Sequence, residues 1–182
     1  MKIKIFLILF ILINFSFLKA QKIKIACSPS SACYVLKGHL SVHMKNGEVC
    51  EGEYKIKGDK VFNKKTKSVE KLTYQDIDYI MQEEKRYEYI RTDDNRMLLL
   101  KLYDNLKNDK IAFYEGKERI SFSDQRFVTY FMVREDLSGA VEFRFFDPIV
   151  KKYFSDCLGV VDQKYYSISF IYSMYTNNCS KL

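Results

Sequence analysis

From Tyr34 to Ile56 the chain admits one self-consistent hairpin. Tyr34, Leu36, Leu40, Val42 and Met44 alternate with Val35, Lys37, His39, Ser41, His43 and Lys45, the period of two of a strand with one buried face. Asn46 and Gly47 mark the turn. A two-residue loop would set Val42 opposite Glu51 and mix the faces. A loop of Lys45, Asn46 and Gly47 sets Val42 opposite Cys50 and Leu36 opposite Ile56, so matched faces select the longer loop, with Gly47 in the left-handed conformation. Cys50 then points inward, and His39 lies opposite Glu53 as a polar pair on the wet face.

Most of the chain up to Phe146 reads in the same way. Gly58 and Asp59 turn it into a weaker strand around Val61 and Phe62. Further strands are expected at Tyr87–Arg91, Met97–Tyr103, Ile111–Tyr114, Ile120–Phe122, Phe127–Val133 and Val141–Phe145, joined by links such as Asp93, Asp94, Asn95 and Asp136, Leu137, Ser138, Gly139. Leu72–Met81 carries two signals. Leu72 and Tyr74 suggest a strand, whereas Thr73 followed by Asp76 and the spacing of Ile77, Ile80 and Met81 suggest a helical turn.

After Phe146 the period changes. Asp147 suits an N-cap and Pro148 the first helical position, and Ile149, Val150, Tyr153, Phe154 and Cys157 follow at helical spacing. A second helix places Ile168, Ile171, Tyr172, Tyr175 and Cys179 along one stripe. The expected class is α+β: an antiparallel β meander or curled sheet followed by a C-terminal helical pair.

The N-terminus is an export signal in form. Lys2 and Lys4 precede an uncharged run from Ile5 to Leu18, and Lys19, Ala20 and the polar Gln21 follow. The run has 14 residues, short of the roughly 20 a spanning helix needs. Removal after Ala20 is therefore expected, with residues 1–20 the signal, 21–146 a β-rich body and 147–182 a helical tail packed on the same single domain. Three units of the +7 formal charge belong to Lys2, Lys4 and Lys19. The remaining surplus favours weak attraction to anionic surfaces. Nucleic acid is not expected as a partner, because the basic residues are interspersed with acidic ones. The basic cluster of Lys64, Lys65 and Lys67 reads as a solvated turn.

An exported chain meets oxidising conditions, in which disulfides persist. The five cysteines are Cys27, Cys33, Cys50, Cys157 and Cys179. Cys157 and Cys179 lie on the apolar sides of their helices and are expected to bond to each other. Such a bond would stabilise by roughly 3 kcal/mol on the loop-entropy model. A second pair comes from Cys27, Cys33 and Cys50, with the choice open. Lys24 before Cys27 argues against a lipidated cysteine.

The run Lys151 to Cys157, then Val160, Val161, Tyr172, Tyr175, Asn177 and Cys179, together with the Lys-Asn-Gly turn, Glu51-Gly52-Glu53 and the stretch Leu72–Ile80, resembles small uncharacterised exported bacterial proteins with a β-rich body and a Cys-paired helical tail. The resemblance covers about two thirds of the mature chain and implies an architecture, not an activity. Cys27, Cys33 and Cys50 depart from the usual pattern of the group.

No catalytic motif stands out. His39 and His43, the two histidines, lie roughly 13 Å apart on a strand at about 3.3 Å per residue, which disfavours a shared metal. Cys50 on the apolar face is separated by the sheet from both histidines. There is no G-x-S-x-G and no H-E-x-x-H. Asp76 with Asp78, Glu83 with Glu84, and Asp93 with Asp94 read as solvated surface carboxylates. Asp104, Asn105, Asn108 and Asp109 lack the glycine and terminal glutamate of a calcium loop. The seven glycines are dispersed, so no phosphate-cradling loop is expected, nor any cofactor. Asn178-Cys179-Ser180 fits a glycosylation acceptor, a pattern frequent by chance.

These readings lead to an exported protein, periplasmic, on the cell surface or secreted, that binds a macromolecule at or beyond the envelope without catalysis. A small extracytoplasmic hydrolase with a site assembled from distant residues is the alternative. A membrane-embedded barrel is a weaker third reading, disfavoured by the helical ending.

Overall fold

In the computed structural model, the described residues are 24–25, 33–66, 68–69, 72–119, 126–143, 147–155 and 166–179. They form a mostly antiparallel sheet followed by short C-terminal helical pieces. The strands are β1 (Lys24–Ile25), β2 (Leu36–Met44), β3 (Val49–Lys57), β4 (Lys60–Asn63), β5 (Ser68–Val69), β6 (Ile77–Gln82), β7 (Lys85–Arg91), β8 (Arg96–Lys107), β9 (Ile111–Arg119), β10 (Arg126–Arg134) and β11 (Val141–Phe143). Helices α1 (Asp147–Phe154) and α2 (Ile168–Met174) follow, and α2 runs into a π-helical turn, Tyr175–Cys179.

The hairpin has the longer loop. Val42 pairs with Cys50, Leu36 with Ile56 and His39 with Glu53. Gly47 has φ +88°, and its N–H donates to the Met44 carbonyl at 2.9 Å. Leu40, Val42 and Ile56 are fully buried; burying a side chain of this size contributes about 1.5–3 kcal/mol. The two signals in Leu72–Met81 fall the other way round: Leu72 and Tyr74, which suggest a strand, lie before and in a turn, whereas Ile77, Ile80 and Met81, spaced as in a helical turn, lie in β6. Thr73 and Asp76 close one turn, with the Thr73 hydroxyl donating to the Asp76 carboxylate at 2.6 Å and the Asp76 N–H donating to the Thr73 carbonyl at 3.0 Å. The chain then extends into β6 instead of continuing as a helix.

The strand order is β11-β10-β9-β8-β7-β6-β2-β3-β4-β5. This is not one continuous meander. Two meanders, β2 to β5 and β6 to β11, join where β2 pairs with β6, as in Val42 with Ile80. Among the described residues the one parallel pair of strands is β1 with β8. Beyond it the Tyr34 N–H donates to the Leu99 carbonyl at 2.9 Å. The Tyr34 hydroxyl reaches Glu115 at 2.7 Å, and its ring meets Tyr87 edge-on at 5.1 Å. Burial first, then Glu115, pushes this phenol well above its ordinary range.

β8 is buried along Leu98, Leu99 and Leu100, as expected for a strand covered on both faces. Ile111, Phe113, Met132, Val141 and Phe143 pack with Val150 and Phe154 of α1 and with Ile168, Ile171 and Tyr175. The Phe154 ring sits 6.2 Å from Phe143 and 5.7 Å from Tyr175. Ser167 caps α2, accepting from the Phe170 N–H at 3.1 Å. Arg134 joins sheet to tail: its guanidinium donates to the Asp136 carboxylate and the Tyr153 carbonyl and lies over the Phe154 and Tyr175 rings. The link before β11 docks on the turn after β7. Ala140 bridges Thr92 in parallel, and a Cβ at Gly139 would come within 2.6 Å of the Thr92 backbone, so only glycine allows this approach.

The expected strand at Ile120–Phe122 lies outside the described residues. So do Cys27, Cys157 and the side chain of Cys179.

Candidate functional site

Alternation in β2 and β3 sends Leu40, Val42 and Ile56 into the core and His39, Ser41, His43, Glu51 and Glu53 outward. At the β3–β4 end of this outward face lies an open groove of about 470 Å³ lined by His39, Glu51, Gly52, Glu53, Lys64 and Lys65. The turn after β4 builds one wall. The Asn63 side-chain carbonyl accepts from the N–H groups of Lys65 at 2.9 Å and Thr66 at 3.3 Å, a local bond that favours turns. The Lys64 N–H donates to the Glu53 carbonyl at 2.8 Å, and its ammonium binds the Glu53 carboxylate at 3.2 Å.

A polar row continues from this groove across the neighbouring strands. Ser41 Oγ donates to Glu51 Oε1 at 3.3 Å and lies 3.4 Å from His43 Nε2. The His43 ring stacks on Tyr79 of β6 at 4.1 Å, the cross-strand partner assigned by the register. The Arg86 guanidinium of β7 lies 3.9 Å from the centre of the Tyr79 ring. Arg86 Nε then donates to Glu88 Oε1 at 2.6 Å.

Glu88 is 6% exposed and is bound from three sides. Lys107 Nζ donates at 2.6 Å and the Tyr114 hydroxyl at 2.8 Å, both to Oε2. Burial pushes this carboxyl up. The bonds from Lys107 and Tyr114, with the charges of Lys107 and Arg86, outweigh burial and hold it below the usual carboxylate range.

The arrangement is a laterally braced surface. Ser41 sits between His43 and Glu51, whereas a nucleophile needs a base that is itself oriented by a carboxylate. His39 opens into the groove and His43 is held on Tyr79, so the two histidines serve different places. Among the described residues no group of three or more His, Cys, Asp or Glu side chains is placed to hold a metal ion. The acidic pairs are separately engaged: Asp76 binds Thr73, Glu83 binds Lys85, and Asp94 binds Thr92 and Arg96. In the Asp104–Asp109 stretch, Asp104 and Asn105 have positive φ at a break in the β8–β9 register. Asn108 turns the chain by accepting from the Lys110 and Ile111 N–H groups.

The Cys50 side chain packs against the core, and its thiol donates to Glu48 at 3.6 Å. Cys33 is buried at the entry to β2, its sulfur accepting from the Leu99 N–H at 3.3 Å.

Tyr79, Arg86, Glu88, Lys107 and Tyr114 were not singled out from the sequence. One local signal existed: Arg86 and Glu88, two apart in a strand, share a face. Nothing local points to Lys107 or Tyr114. Among the described residues no helix is long and apolar enough to cross a membrane. No family model matches the chain, and no curated protein and no solved structure matches it.

Proposed function

We propose that this is an exported, noncatalytic protein of the cell envelope or exterior that binds a macromolecule through the outward face of its sheet. The observation that carries this reading is the row from Glu51 through Ser41, His43, Tyr79 and Arg86 to Glu88, whose side chains brace one another across strands. Such bracing lowers the entropy lost when a surface is contacted. Export rests on the Lys2–Ala20 sequence pattern, from which removal of residues 1–20 follows as part of the proposal.

The scaffold under this face is a curled sheet with a helical pair on its far end. Full burial of Leu40 and Ile80 together with Leu98 and Leu100 and the Thr92–Ala140 bridge support the curl. The shared packing of Val150, Phe154, Ile171 and Tyr175 supports the pair. A Cys157–Cys179 disulfide fastens the tail. A second bond comes from Cys27, Cys33 and Cys50.

One observation favours the hydrolase alternative: the groove gathers His39 with Glu51 and Glu53. One measurement tests export and a second separates the two readings. Protein recovered from outside the cytoplasm of producing cells is expected to begin at Gln21, and the purified protein to leave envelope polymers uncleaved. Turnover above the blank that His39→Ala abolishes would establish the hydrolase, and recovery with Met1 intact would remove the export claim.

A further inference from the structure

We propose that the β2–β3–β4 end of the outward face docks on an anionic phospholipid surface. This names the chemistry of a partner for the face described above and so rests on that reading.

The register places like charges directly opposite one another. Lys37 faces Lys55, and Lys57 faces Lys60. With a period of two, all four lysines point to the same side as His39 and Glu53, and all four are exposed. Facing like charges destabilise a strand pair, and among the described residues none of the four has a carboxylate within ion-pair distance; the nearby Glu53 is taken by Lys64. Among the described residues no ion pair offsets this repulsion. A layer of negative charge laid against the face would offset it.

Two further features favour a lipid surface over other polyanions. Val35, 52% exposed, has the same parity as Lys37, and Phe62, half-buried, is the cross-strand partner of Lys55. Apolar groups among lysines suit an interface where ammonium heads meet phosphates and side-chain stems meet acyl chains. The segment from Leu36 to Asn63 contains no arginine, the residue whose planar fork best matches nucleic-acid phosphates. Lysine point charges suit a diffuse, laterally mobile layer of headgroups.

The test is co-sedimentation of the purified protein with vesicles of phosphatidylcholine alone and of phosphatidylcholine mixed with phosphatidylglycerol, at low and high salt. Binding is expected to the anionic vesicles only and to fall as salt rises. The double variant Lys37→Gln, Lys55→Gln is expected to bind roughly 25-fold more weakly, at about fivefold per lysine. Lys85→Gln, whose parent lysine is paired with Glu83, is expected to match the wild type. Because both variants change exposed residues, unchanged circular dichroism confirms that folding is retained.

Equal binding to both vesicle types, no binding to either, or an unaffected double variant overturns the proposal. Duplex DNA bound as tightly as the anionic vesicles, with the same lysine dependence, also overturns it, by replacing a membrane with a general polyanion. Loss of vesicle binding with retained binding to isolated envelopes removes the lipid assignment alone. Loss of both removes the sheet-face reading as well.

Discussion

Phe154→Ala is expected to destabilise the protein by about 3–5 kcal/mol, the range for removing a buried aromatic ring. Phe154 is fully buried. Its ring lies edge-on to Phe143 of β11 and to Tyr175 beyond α2, and the Arg134 guanidinium lies 5.8 Å from the ring centre. One side chain thus connects the sheet, both helices and the cation that binds the Tyr153 carbonyl. Truncation leaves a cavity that three separate elements would have to close together. Phe154→Leu, which retains most of the volume, is expected to cost about 1.5 kcal/mol or less. Urea unfolding of the three proteins measures both, and an alanine variant within about 1 kcal/mol of the parent would contradict the packing described.

The second large effect is expected at Glu88. Glu88→Gln keeps the shape of the side chain and removes the charge that Arg86 and Lys107 bind. Breaking a buried ion pair typically costs about 3–5 kcal/mol. Arg86 and Lys107 retain 30% and 38% of their side-chain surface, so water compensates in part and about 2–3 kcal/mol is expected near neutral pH.

The pH dependence has a definite sign. The folded-state pKa of Glu88 is depressed. Its contribution is therefore fully present above the unfolded glutamate value of about 4.3 and is lost as pH falls through the lower folded value. The gap between wild type and Glu88→Gln should be wide near pH 7 and close in strong acid. Urea denaturation across that range reads it directly. A gap that persists unchanged in acid would mean that shape, and not charge, makes Glu88 important.

The β2–β3 hairpin was legible because several local constraints agree. Asn46-Gly47 names a turn, alternation names two faces, and only one loop length matches them, giving Val42 opposite Cys50. The start of α1 at Asp147-Pro148 was legible for the same reason. Thr73 and Asp76 show what a local signal leaves undecided: the capping interaction forms, yet β6 follows because Ile77 and Ile80 are buried in the sheet.

What stayed hidden is long-range. Pairing of β2 with β6, and of β1 in parallel with β8, depends on which edges meet, and alternation along one strand carries no information on that. The Glu88 network was hidden likewise: Lys107 and Tyr114 lie 19 and 26 residues away, and a break in the β8–β9 register precedes Lys107. The groove was legible in part. His39 opposite Glu53 follows from the hairpin, whereas Lys64 depends on the turn shaped by Asn63.

The outward face of β2 and β3 is the proposed working surface. Its most direct test is the affinity of the purified protein for isolated cell envelopes, compared between a His39→Ala, Lys65→Gln variant, both residues lining the groove, and a Lys152→Gln variant, the latter exposed on α1 far along the chain. A loss of about tenfold or more is expected for the first, equivalent to about 1.4 kcal/mol, and no change for the second. Equal affinities for all three proteins would contradict it.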